Sequence, residues 1–204
     1  LERETVQMRN FKVVGLDLAG VPTRTSGISF LEEMKTETHL LFSDTEILEF
    51  IKRKSPHLVT IDAPLSLPPG RKSIQEKSRI HFRPCDEELR KRGIRFFPIT
   101  LGPMRKLTER GIQLRISLEK LGFRVYEVYP GGAQDILKIP RAGRNLEGLR
   151  KGLQVLGIKG IKKSCSAHEL DAIMAAYVGL LFLQEKAEIY GSLDQGAILM
   201  PISE

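Results

Sequence analysis

Cysteine and histidine are scarce. Two cysteines, Cys85 and Cys165, stand far apart and match neither a metal-binding spacing nor a disulfide framework. With only four histidines beside them, a zinc site is not expected. No charge-free apolar run is long enough for a bilayer: the longest, Ala172 to Leu183, falls well short of the roughly 20 residues a spanning helix needs. The opening Leu1-Glu2-Arg3-Glu4 lacks the basic region and apolar stretch of a secretory signal, so the cytoplasm is the expected location. An initiator Met is missing as well, which leaves Met8 as an alternative start. There is no internal repeat and no low-complexity run. What remains is ordinary globular composition: 204 residues, 41% hydrophobic and 28% charged, predict one domain able to bury a substantial core.

The net charge of +7 is unevenly spread. Residues 1–69 carry 8 basic and 10 acidic side chains, residues 125–204 carry 9 of each, and residues 70–124 carry 15 basic against 6 acidic. The whole positive excess therefore sits in one middle segment. That asymmetry predicts a polyanionic partner, nucleic acid first, against the alternative of a salt-bridged solvated surface.

Hydrophobic periodicity places the elements. Phe11 to Leu18 reads as a strand, and Ile28 to Met34 and Thr38 to Phe42 as two more in an antiparallel meander. Ser43 and Glu46 form a capping box that opens a helix ended by Pro56. His57 to Ala63 is the fourth strand, so the order is βββαβ. A helix starts at Pro84 and stops at Gly93, and another runs to about Leu121 with Gly122 as its cap. Phe123 to Tyr129 alternates as a strand, Asn145 to Leu156 is an amphipathic helix, and Ser166 with Glu169 caps a helix reaching about Lys186. The body of that last helix is apolar on all sides and is predicted to be buried.

Four carboxylates stand where carboxylates are costly. Asp17 lies at the end of an apolar strand, although aspartate is a poor strand former. Asp62 ends Leu58-Val-Thr-Ile-Asp62 in the same way. If the two strands are parallel, both acids emerge at one carboxyl-terminal edge, where α/β folds build their sites. Asp171 falls at about the fifth position of the buried helix, because Ser166 already occupies the cap. Glu127 shares a strand face with Val125 and Tyr129. Converging acids repel one another without a cation. Mg²⁺ suits an all-oxygen site, and two such ions serve phosphodiester hydrolysis.

Acids on the first strand, the fourth strand and a late helix resemble the ribonuclease H-like superfamily, which includes RNase H and the Holliday-junction resolvases. His168-Glu-Leu-Asp171-Ala172 also resembles the His-x-x-Asp-Ala pattern of some resolvase-type helices. More narrowly, the chain is similar to the domain of unknown function 429 family of predicted RNase H-fold nucleases. The carrying pieces are Gly15-Leu-Asp17-Leu-Ala19, Ile61-Asp62-Ala63-Pro64, Arg83-Pro-Cys-Asp86-Glu-Glu-Leu89-Arg90, Glu127-Val-Tyr-Pro130 and His168-Glu-Leu-Asp171-Ala172. The resemblance implies an α/β fold: a mixed sheet of a three-stranded antiparallel meander plus parallel strands, flanked by helices, with a basic helical insertion at about 65–122. It implies Mg²⁺ or Mn²⁺ on Asp17, Asp62 and Asp171, Glu127 as a fourth carboxylate, and His168 near the scissile phosphate. Glu46 and Glu49 lie on the helix that carries a further Glu in RNase H, but neither is clearly placed for that role.

Arg83 has two readings: a phosphate ligand helped by Arg90, Arg79 or Lys77, or a helix-start ion pair with Asp86. Phe82, Phe96 and Phe97 either stack on bases or anchor a lobe. The expected activity is a metal-dependent nuclease acting on DNA or RNA, whose 70–124 segment grips the backbone. The alternatives are a non-catalytic nucleic-acid-binding protein on the same fold and an actin-like or sugar-kinase-type phosphoryl-transfer protein. The resolvase likeness adds a homodimer as an assembly to test.

Overall fold

The computed structural model describes residues 10–203; the opening residues discussed above, Met8 among them, lie outside these described residues. Strands β1 (Lys12–Asp17), β2 (Ser26–Glu32) and β3 (Lys35–Leu41) form an antiparallel meander. The β2–β3 turn is two residues long, and both Glu33 and Met34 have positive φ, 48° and 59°. That primed turn matches the right-handed twist of the flanking strands and ends β2 before Met34, two residues short of the expected strand end. Helix α1 (Asp44–Lys54) carries the Ser43–Glu46 capping box, and β4 (Leu58–Asp62) returns parallel to β1. Helices α2 (Pro84–Lys91) and α3 (Gly102–Lys120) follow, then β5 (Val125–Val128) and α4 (Pro130–Ile136). Helices α5 (Leu146–Val155) and α6 (Ala167–Leu183) lead to a hairpin of β6 (Ala187–Ser192) and β7 (Gly196–Pro201). The sheet order is β3-β2-β1-β4-β5-β7-β6. Strands β1, β4, β5 and β7 are mutually parallel, and β6 is antiparallel at the edge.

Side-chain alternation sorts the two faces of the sheet. Val14, Leu16, Val59 and Ile61 pack with Ile47, Phe50 and Ile51 of α1 and Leu114 and Leu118 of α3. Val13 and Leu58 point the other way, onto α6, with α4 and α5 flanking it. Leu114 and Leu118 thus tie α3 into the same layer as α1. Leu170, Ile173, Met174 and Val178 of α6 are fully buried, and each contributes about 1.5–3 kcal/mol of hydrophobic stabilisation. Among the described residues, no helix is long and apolar enough to cross a membrane.

Helix α6 lies unusually close to the sheet because two glycines face it. A Cβ on Gly15 would stand 2.2 Å from the Ala172 carbonyl oxygen, and one on Gly27 would stand 2.1 Å from that of His168. Both obstacles are helix backbone, which cannot rotate away. Gly15→Ala is therefore expected to destabilise the protein by about 1–3 kcal/mol in urea unfolding, since overpacking must push the helix outward. A cost under about 0.5 kcal/mol would mean that α6 is free to float.

Candidate active site

The register of β1 and β4 pairs Asp17 directly with Asp62. Alternation sets their direction: Asp17 follows Val13 and Gly15, and Asp62 follows Leu58 and Thr60, whose hydroxyl donates to the Ala175 carbonyl of α6 at 2.8 Å. Both carboxylates therefore leave the sheet on the α6 side, at its carboxyl-terminal edge. Asp171 enters from α6 itself, one turn past the Ser166 cap. His168 comes from the first turn of the same helix, and its Nδ1 lies 2.6 Å from Asp17 Oδ2. The close glycine contacts fix the distance between that helix turn and those strand ends.

The electrostatics are those of converging, partly buried acids. Burial and the charges of Asp17, Asp171 and Glu127 push the Asp62 carboxyl well above its ordinary range. Burial raises Asp171 from 3.8 to about 6, with the Asp17 charge adding to the shift and the Gln134 hydrogen bond opposing it. The hydrogen bond to Asp17 raises His168, which favours an imidazolium against that carboxylate. Because Asp171 titrates higher in the folded state, the native protein holds a proton that the unfolded chain releases. Stability therefore falls as pH rises from 3.8 to about 6. Asp171→Asn keeps an acceptor for Gln134 and removes the charge. It should raise the cation-free unfolding free energy at pH 7 by about 1–2 kcal/mol and flatten that pH dependence. Equal loss of stability at pH 5 and pH 7 would show that Asp171 is not ionised at a cost.

Two expected site residues, Glu127 and Arg83, line the same cleft as Asp17 and Asp62 but are engaged with each other. Glu127 pairs with Ile61 in the β4–β5 register, so it projects from the sheet face opposite to Asp17 and Asp62. There it accepts from Arg83 Nη1 at 2.6 Å, from Arg83 Nη2 at 2.8 Å and from the Leu65 N–H at 2.8 Å. Both of its oxygens accept hydrogen bonds, while its charge acts on Asp62 across the cleft. Arg83 is only 2% exposed, and its Nε and Nη2 also donate to Asp86 at 3.0 and 2.8 Å. Of its two readings, the ion pair with Asp86 is formed and extends to Glu127, so the guanidinium lies between two buried carboxylates. Lys77 and Arg79 are exposed on the loop before α2. Arg90 is exposed on α2, pairs with Glu87 at 3.0 Å and covers the Phe82 ring at 4.8 Å.

Other residues of the site carried little sequence signal. Gln134, 1% exposed on α4, donates its Nε2 to Asp171 Oδ1 at 2.6 Å. Pro130 just inside α4 was the available helix-start signal, but Pro130-Gly131 equally marks a turn. A cleft of about 210 Å³ opens beside Asp17 and Asp62, walled by Phe96, Phe97, Met104 and Tyr129.

Among the described residues, no three His, Cys, Asp or Glu side chains form a ready metal cage. The donor set still fits Mg²⁺ or Mn²⁺: all ligands are carboxylate oxygens. Mg²⁺ is usually held by one or two carboxylates, with waters and substrate phosphates completing the shell.

Among solved structures, the chain is similar to Thermus thermophilus RuvC in complex with Holliday junction substrate, at a TM-score of 0.52 and 13% identity, over 85% of this chain and 96% of that one. The fold is ribonuclease H-like. A second structure of Thermus thermophilus RuvC gives a TM-score of 0.45 and 15% identity over the same shares of the two chains. No family model and no curated protein matches the chain, so the narrower likeness to the domain of unknown function 429 family rests on its motifs alone. On the ribonuclease H-like frame, the acids Asp17 and Asp62 end adjacent central strands and Asp171 faces them from α6.

Proposed function

We propose that the chain is a nuclease hydrolysing phosphodiester bonds in DNA or RNA, with Mg²⁺ or Mn²⁺ held by Asp17, Asp62 and Asp171. The observation that carries this reading is the register pairing of Asp17 with Asp62 at adjacent strand ends, with Asp171 close enough to raise the Asp62 pKa. Such a cluster is repulsive by itself and is relieved by a divalent cation. When bound, that cation supplies charge neutralisation and Lewis-acid polarisation at a phosphoryl group. The protein's own part is positioning: Gln134 orients Asp171, and Thr60 and the two glycines hold α6 against the strand ends. His168 holds a proton at Nδ1 against Asp17 and is half-exposed, so it can exchange that proton with solvent or substrate. Lys77, Arg79 and Arg90 would contact backbone phosphates. A nucleic-acid partner is supported by the concentration of positive charge in residues 70–124 and by the neighbour bound to a Holliday junction.

Single-stranded, duplex, hybrid and four-way substrates incubated with Mg²⁺ or Mn²⁺ test the proposal. Cleavage of at least one, blocked by chelator, is the expected result; intact substrates in every arm, beside an active control nuclease, would refute it. The concentration of positive charge in residues 70–124 equally supports a second reading, a binding protein that does not cut. Salt-dependent binding without cleavage or metal requirement would select it.

A further inference from the structure

A second concavity, about 660 Å³, continues from the acid cleft through Phe96, Phe97 and Tyr129 and is lined on its far side by Arg90, Arg95 and Arg141. Its cationic wall is built rather than incidental. The Tyr129 hydroxyl donates to the Arg95 carbonyl at 2.6 Å and accepts from Arg141 Nη1 at 3.0 Å, while Arg141 Nη2 donates to the same carbonyl at 3.3 Å. This bridge fastens the loop after α2 to the loop after α4 and holds the Arg141 guanidinium at the rim, where the Arg95 side chain also lies. Arg141 forms a two-point salt bridge with Asp135, and Arg95 and Arg144 act on the same carboxylate, so three guanidiniums share one acid near this end of the groove. Against that wall, Phe97 presents a ring that is 69% exposed, while its neighbour Phe96 is held edge-to-face against Phe82 at 6.2 Å.

We infer that this groove binds an unpaired nucleic-acid strand leading into the acid cleft, with phosphates on Arg95 and Arg141 and a base stacked on Phe97. The inference rests on the nuclease reading for its direction but not for its binding. An exposed ring beside several arginines fits a base whose face is open, and every base has such a face. Bases inside a duplex are stacked on their neighbours and have no free face for Phe97. Charge complementarity alone would suit a duplex equally well, so the aromatic ring decides the strandedness.

Fluorescence anisotropy in EDTA, where no cutting occurs, tests the groove with labelled 12-nucleotide single strands of DNA and of RNA and a blunt duplex of the same sequence. Wild type is expected to bind one or both single strands at least tenfold more tightly than the duplex. Phe97→Ala should cost about tenfold on the single strand and little on the duplex. Arg95→Ala should weaken both and reduce the slope of log affinity against log salt by about one. Because Phe97 is exposed, its replacement leaves the core intact, and an unchanged melting temperature confirms this. Equal binding of duplex and single strand, an unaffected Phe97→Ala variant, or no binding at all overturns the inference. Preferential single-strand binding that depends on Phe97, in a protein that cuts nothing in metal, upholds the groove and sinks the nuclease reading. Cleavage by a Phe97→Ala variant with unchanged affinity does the reverse.

Discussion

Arg83→Met is expected to lower the unfolding free energy by about 3–5 kcal/mol at pH 7, read from equilibrium urea denaturation. The guanidinium is 2% exposed and sits between Asp86, 1% exposed, and Glu127, 6% exposed. Asp86 also accepts from the Arg83 backbone N–H at 2.8 Å, so one carboxylate both caps α2 and pairs with the side chain at its start. Removing the cation leaves two desolvated carboxylates in the interior near Asp62, whose own carboxyl already responds to the Glu127 charge. The remaining acids could escape only by taking up protons, so the loss should shrink as pH falls and Glu127, already raised by burial, becomes neutral. Replacing all three groups by apolar residues of similar size should recover much of the lost stability, because the penalty lies in the unpaired charge rather than in losing the pair. A cost below about 1 kcal/mol for Arg83→Met would show that the triad is hydrated and that Arg83 is available to ligands after all.

Asp62→Asn is expected to lower the rate of phosphodiester cleavage by roughly a thousandfold, with the folded state at least as stable as wild type without metal. The rate estimate follows from losing about 4 kcal/mol of charge stabilisation around the reacting phosphate. The stability expectation follows from the raised pKa, since Asp62 bears the repulsion of three neighbouring acids. Melting curves with and without 10 mM Mg²⁺ complete the test: wild type should gain stability from the ion, by about 2.7 kcal/mol at a hundred times its dissociation constant, and the variant should gain far less. The diagnostic is the combination of lost activity with unchanged or improved stability. A variant that loses both would mark Asp62 as structural, and one that keeps its rate would remove it from the site.

The elements with local signals were legible in the sequence. The meander, the fourth strand and the Ser43 and Ser166 capping boxes depend on alternation and on residues three apart, and they fold as read. The pairing of Asp17 with Asp62 followed from parallel strands, and the position of Asp171 followed from the cap at Ser166. Alternation within β5 identifies the facemates of Glu127 but not which face of the sheet they occupy; that is settled by the register against β4. The burial of Arg83 rests on a contact with a residue distant in sequence, and no local pattern announces it. Helix α4 was hidden by Pro130-Gly131, which serve a turn as readily as a helix start. The β6–β7 hairpin went unread, although Gly191 and Gly196, both at positive φ, bracket its turn. Tyr129 with Arg95 and Arg141 is a purely tertiary constellation.

The insertion of β7 between β5 and β6 has a consequence for biosynthesis. Strand β5 meets β7 through Glu127↔Ile198 and Val128↔Leu199, so until residues 196–201 leave the ribosome, β5 exposes an unpaired edge. That strand also carries the carboxylate that anchors Arg83, and α2 packs through Cys85 and Leu89 onto Tyr190 and Ile198. The acids of β1 and β4 are translated early, yet the wall of the cleft beside them closes only after the hairpin docks. A nascent chain thus displays the carboxylates of β1 and β4 before the wall beside them is in place.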